Sequence, residues 1–290
     1  MSNSSAGFEQ LIHENFHLFT DEEIQEAITL YQPALAGHVE AMLEVAHIYC
    51  LCDQHRYGVE WYKKAADIGN TTAMYELANC YFEGLGVKED YTEAFHLYKE
   101  AAENGHADAA NNLADMYLNG EGVPVNEKEA FIWFQKAAAN NVMEAMFTLG
   151  IMYEQGIGIT IEDEKAFEYY MKSAKAGYED AQYRIGSIFL DGLLGQEKNI
   201  PLALEWFEKA AASHHIDAIF NLGFLYENGM GVPRNGKKAL YYYKKAALLG
   251  DYQSKLNIAL IYEHGIDVPK NKKTAAKWRK LAMNQMNRID

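Results

Sequence analysis

The feature that most constrains this chain is a period of 36 residues. Between His106 and Asn140 it carries Ala109, Leu113, Ala114 and Tyr117, then Gly120-Glu121-Gly122-Val123, then Ala130, Phe134, Ala137 and Ala138. A shift of 36 places Ala109 on Ala73 in one direction and on Ala145 in the other. Self-similarity at this period, in small and aromatic apolar residues, marks a stacked array. Units of an array contact only their neighbours, so the 290 residues are expected to form one elongated body rather than separate globular domains.

The spacing inside the period predicts two helices per unit. First helices carry Ala41, Ala73, Ala109, Ala145, Ala181 and Ala218, with Ser254 in the last. Each continues with a large residue, a Gly or Ala, and an aromatic, as in Leu77/Ala78/Tyr81 and Leu222/Gly223/Tyr226. The small residue lets the partner helix approach, and the aromatic fills the gap to the next unit. Second helices run from Ala94/Tyr98/Ala101 to Ala239/Tyr243/Ala246. Asp90, Asn126, Asn199, Asn235 and Asn271 lie four residues before the alanine, placed to cap them. Between paired helices come Gly84-x-Gly86-Val87, Gly120-x-Gly122-Val123, Gly156-x-Gly158-Ile159, Gly229-x-Gly231-Val232 and Gly265-x-Asp267-Val268. The first Gly suits a left-handed helix terminus. With no preceding strand, a phosphate-cradling reading of G-x-G has no support, and no cofactor is expected.

Ahead of the array, Phe8, Leu11, Ile12, Phe16 and Phe19 form a helical stripe, and Thr20 with Glu23 forms a capping box for a second helix. Residues 1–36 therefore read as an N-terminal helical cap. Residues 37–290 read as the array, with units near 37–69, 70–105, 106–141, 142–177, 178–214, 215–250 and 251–287. The expected fold is all-α, a right-handed superhelical α-solenoid of about seven helix-turn-helix repeats.

The pattern A-x-x-x-L-G-x-x-Y-x-x-G-x-G-V…A-x-x-x-Y-x-x-A-A-x-x-G resembles the Sel-one-like repeat (SLR) family, relatives of the tetratricopeptide repeats, over residues 37–287. Two units depart from it. The first has Cys50-Leu-Cys52-Asp-Gln-His55-Arg-Tyr in place of the glycine turn, and the fifth has Gly192-Leu-Leu-Gly195. The resemblance implies an α-solenoid whose first helices line a concave groove, used as a non-enzymatic scaffold or adaptor for protein–protein contacts. Some cysteine-rich secreted SLR proteins are linked to β-lactam hydrolysis, but this chain lacks their paired cysteines.

With the small Gly or Ala facing the partner helix, the neighbouring positions turn to the groove. They are Tyr75, Asn79, Asn111, Asn112, Asp115, Phe147, Ile151, Tyr183, Ser187, Phe220, Asn221, Phe224 and Asn257. Asparagines offer donor and acceptor to a peptide backbone, and aromatics offer rigid anchors. Tyr75, Phe147, Tyr183 and Phe220 recur at one repeat position, so core packing between units competes with a binding role. Asn79, Asp115, Ile151 and Phe224 do not repeat, and packing does not demand them.

The alternative from another class is a metal-binding or hydrolytic protein. His13-Glu14-Asn15-Phe16-His17 is H-E-x-x-H, which on a helix puts both imidazoles on one face. His47, Cys50, Cys52 and His55 form a denser set around the shortened turn. The competing reading is a plain cap helix and cysteines packed as small hydrophobes.

Charge is uneven. The chain totals −15, yet residues 234–290 hold 13 Lys+Arg against 4 Asp+Glu and the remainder 13 against 37. This argues against general nucleic-acid binding and leaves an acidic partner for the basic last unit, through Lys270, Lys272, Lys273, Lys277, Arg279 and Lys280. Three clustered cysteines fit no disulfide ladder. No secretory signal and no apolar run of ~20 residues stands out, so a cytoplasmic protein without a membrane span is expected.

Overall fold

The structure is a computed structural model and describes residues 4–286. Among the described residues every regular element is helical. The chain divides into two compact units, residues 1–145 and 146–290.

The first unit opens with α1 (Ser5–Glu14), a 3-10 turn (Phe16–Leu18) and α2 (Asp21–Leu35). Three pairs follow: α3 (Val39–Leu51) with α4 (His55–Asp67), α5 (Thr71–Glu83) with α6 (Tyr91–Glu103), and α7 (Ala107–Asn119) with α8 (Glu127–Ala139). The boundary between units falls inside α9 (Met143–Gln155). The second unit continues with α10 (Asp163–Ala176) and the pairs α11 (Glu179–Asp191) with α12 (Ile200–Ala212), α13 (Ile216–Asn228) with α14 (Gly236–Leu248), and α15 (Tyr252–His264) with α16 (Lys272–Met286).

Local chemistry sets the helix starts. Thr20 and Glu23 exchange backbone bonds in a capping box. Asp90, Asn126, Asn199 and Asn235 each accept from a first-turn N–H, as their spacing predicts. Asn271 does the same for the Thr274 N–H at 2.9 Å. On the first helices Asn70 and Asp251 play this part, but so do two histidines, His106 and His215, whose Nδ1 atoms accept from Ala109 and Ala218 at 3.2 Å. The imidazole is an unusual cap, and the sequence pattern gave no sign of it.

Core packing follows the repeat grammar. Ala73, Ala109, Ala181 and Ala218 on first helices are buried, as are Ala94, Ala130, Ala166, Ala203 and Ala239 on second helices. The small residue of each first helix meets the ring of its partner helix. A Cβ added to Gly150 would lie 2.5 Å from the Tyr170 ring, and one on Gly223 would lie 2.8 Å from Tyr243. Each such ring, with Phe134 and Phe207 at the equivalent positions, is almost wholly buried. A ring of this size removes about 200 Å² from water, a gross gain of about 5 kcal/mol before entropy.

Candidate functional site

The recurring aromatics of the first helices are engaged on two sides. Tyr75 packs on Tyr98 at 6.0 Å and stacks on the capping ring of His106 at 4.6 Å. Phe147 repeats this with Tyr170 at 5.4 Å and Tyr178 at 5.3 Å, and Tyr183 with Phe207 at 5.7 Å and His215 at 4.5 Å. Phe220 lies 5.6 Å from Tyr243. Each ring thus ties its own helix pair together and, where the next cap is a ring, reaches the following first helix as well.

A different position, one turn further on, is half-buried in some repeats and exposed in others. In the first unit it holds His47, Asn79 and Asp115. In the second it holds Ile151, Ser187, Phe224 and Leu260, of which Phe224 and Leu260 are 41% and 40% exposed. The framework around this column hardly changes while its chemistry passes from polar to apolar. Leu260 escaped the sequence reading, although it lies 36 residues after Phe224.

In the first unit the column opens into a recess of about 220 Å³, lined by Asn79, Phe82, Glu83, Tyr98, Asn112, Asp115, Met116 and Glu121. Tyr98 donates its hydroxyl to Asn79 Oδ1 at 2.5 Å, and Asn79 Nδ2 donates to Glu76 at 3.3 Å. Asn111 Nδ2 donates to Asn112 Oδ1 and to Asp115 Oδ2, each at 3.3 Å, while Asn111 Oδ1 is buried without a partner among the described atoms. Burial, helped by the charge of Glu121, pushes the Asp115 carboxyl up to about 6. Residues 1–145 carry 7 Lys+Arg against 24 Asp+Glu, so the recess sits in a strongly negative field. Sequence reasoning found Asn79, Asn112 and Asp115 but missed Glu83, Phe82, Tyr98, Met116 and Glu121. Glu121 was visible as the middle residue of a G-x-G turn; the others come together only once three helices are packed.

On the second unit, Tyr170 donates to Glu154 at 2.7 Å, Arg184 pairs with the same carboxylate, and Tyr243 donates to Glu227 at 2.7 Å. Ser187 donates to the Tyr183 carbonyl at 3.1 Å, and Gln253 donates to Asn257 at 3.3 Å. Asn221 is half-buried beside the exposed Phe224.

Among the described residues, the His and Cys side chains behind the metal and hydrolase alternatives are not gathered into a metal site. Helix α1 stops at Glu14, where Asn15 takes the cap, so His13 is on the helix and His17 lies in the separate 3-10 turn. The helical i, i+4 premise of H-E-x-x-H therefore fails. His55 faces Asp53 at 3.3 Å, Cys52 is buried, and His47 is exposed. Among the described residues no three His, Cys, Asp or Glu side chains are gathered as a metal site. Burial pushes the thiol of Cys50 up to about 11 and that of Cys80 up to about 12, and raises that of Cys52. Such thiols stay protonated and are poor nucleophiles. What the face offers is hydrogen bonding, charge and apolar contact. No described helix is long and apolar enough to cross a membrane.

Comparison with known proteins places this geometry. Nothing among curated proteins matches the chain significantly. In structure it is similar to c5321, a protective antigen of uropathogenic Escherichia coli strains displaying an SLR fold, at 27% identity and a TM-score of 0.80 over 98% of this chain. The chain spans 62% of that protein's length. It is also similar to a Sel1 repeat protein from Oxalobacter formigenes, at 29% identity and a TM-score of 0.75, over 83% of this chain and 99% of the other. These likenesses show the α-solenoid class expected from the period. The Sel1 repeat model matches residues 39–70, 71–106, 107–142, 144–178, 179–215, 216–251 and 253–285, and the chain belongs to the Sel1 repeat family.

Proposed function

We propose that this protein is a non-enzymatic adaptor that holds an extended segment of another protein along its first-helix face, the groove of the solenoid. Sel1 repeats serve in general as scaffolds for protein–protein contacts, and that coarse role comes with the fold. The observation that carries the finer reading is one repeat position that varies in chemistry from unit to unit, half-buried at Asn79 and Asp115 and exposed at Phe224 and Leu260. Half-buried amides and acids beside the recess suit a peptide backbone and a polar or basic side chain, and the exposed Phe224 and Leu260 suit an apolar one. Three thiols without a disulfide support a reducing, cytoplasmic setting.

The test is quantitative affinity capture with the wild-type chain and an Asn79→Ala/Asp115→Ala/Phe224→Ala variant of matched thermal stability. Partners enriched by the wild type should fall at least tenfold with the variant. An unchanged partner profile would show that binding lies elsewhere.

A further inference from the structure

A second surface lies away from the first-helix column, on the second helices α14 and α16. Together they contain nine Lys and Arg residues and no Asp or Glu. Both pack against α15 and share its core, with Trp278 of α16 lying against the cluster that holds Tyr243, Ile258 and Ile261. On α14, Lys237, Tyr241, Lys244 and Leu248 fall at helical spacing along one line, and all are exposed. Tyr241 is 63% exposed and Leu248 85%. On α16, Lys273, Lys277 and Lys280 form the matching exposed line, with Leu281 beside it.

The carboxylates nearby do not neutralise this face. Asp251 caps α15, Glu263 pairs with Arg279, and Asp267 Oδ2 accepts from the Gly236 N–H at 2.8 Å. On α12, Glu205 and Glu208 stand at the positions of Tyr241 and Lys244; Glu205 pairs with Lys209 at 2.8 Å, and the charge of Glu208 is felt by Tyr242 of α14, on the flank of the lysine line. Among the described residues the lysine lines therefore belong to α14 and α16, with the exposed Arg234 and Lys270 in the turns that precede them.

We propose that this face docks on the surface of an anionic lipid bilayer, with the lysines over the headgroups and Tyr241, Leu248 and Leu281 entering the interface. Aliphatic side chains standing in solvent among cations are the pattern of an interfacial surface. Lysine is a point charge suited to a diffuse anionic layer, whereas the one arginine of α16 is already paired with Glu263. The proposal is independent of the first-helix reading, since it uses none of its residues.

The test is flotation of the full chain with vesicles of phosphatidylcholine alone or with about a third phosphatidylserine. Binding should need the anionic lipid and weaken more than tenfold between 0.1 and 0.5 M salt. A Lys237→Gln/Lys273→Gln/Lys277→Gln/Lys280→Gln variant should lose at least 100-fold in partitioning, at about fivefold per lysine. Leu248→Ser should reduce the binding that survives at high salt. Equal binding to neutral vesicles, no flotation of the wild type at low salt, or tighter capture by a single-stranded RNA oligonucleotide under the same conditions would overturn the proposal.

Discussion

Asp115→Asn is expected to stabilise the protein at neutral pH, and the gain should vanish in acid. In the folded chain the carboxyl is raised from 3.8 to about 6, first by burial and then by Glu121. At 1.36 kcal/mol per pH unit, the ionised form is disfavoured by at most about 3 kcal/mol. Partial solvent access on the recess side trims this to about 1–2 kcal/mol. The sign follows from linkage: a group whose folded pKa lies above its unfolded one adds stability that is fully present below pH 3.8 and lost as pH rises through about 6. The wild type therefore carries the deficit above pH 6 and not below pH 4. The amide keeps an acceptor for Asn111 and removes the charge. Urea melts of both proteins at pH 4.5, 5.5, 6.5 and 7.5 test this, with equal m-values required for a fair comparison. The variant's midpoint should lead at pH 7.5, with a melting temperature higher by about 2–6 °C, and its lead should shrink to about a third by pH 4.5. A destabilised variant at pH 7.5, or a gain independent of pH, would refute the view of Asp115 as a charge held at the expense of stability.

Other outcomes follow from the packing. Gly150→Ala forces a Cβ against the Tyr170 ring and should lower stability by about 1–2 kcal/mol, despite alanine's better helix propensity; thermal denaturation reads this directly. Burial lowers the pKa of His106, so its neutral, capping form is favoured above the ordinary value of 6.5 and lost as pH falls through the depressed one. His106→Asn keeps a cap that does not titrate, and between pH 7 and pH 5 the wild type should lose about 1 kcal/mol relative to it in urea melts.

Much of the fold was legible because repetition restates each local rule. Ala41, Ala73, Ala109, Ala145, Ala181 and Ala218 mark the same packed position six times, and five asparagine or aspartate caps fall where their spacing requires. The face was half legible. Asn79, Asp115 and Phe224 stand out by failing to repeat, but the carboxylates of Glu83 and Glu121 join Asp115 only through helix packing, which no period encodes. The histidine caps were hidden for a related reason: His106 and His215 act by accepting from a backbone N–H and stacking on a tyrosine, neither of which leaves a sequence signature. H-E-x-x-H misled because it supposes an uninterrupted helix, and Asn15 ends that helix inside the motif.

The repeat position held by Asn79 in one helix pair and Leu260 in another separates two kinds of inheritance within each repeat. Alanines, glycines and buried rings answer to their neighbours in the stack, so a change in one must be met by a change in another. The residues at that position are bound less tightly: Asn79 and Asp115 still hold Tyr98 and Asn111, but Phe224 and Leu260 stand in solvent, and substitution there leaves the architecture standing. A chain organised in this way can acquire a new guest one unit at a time, with its load-carrying frame untouched.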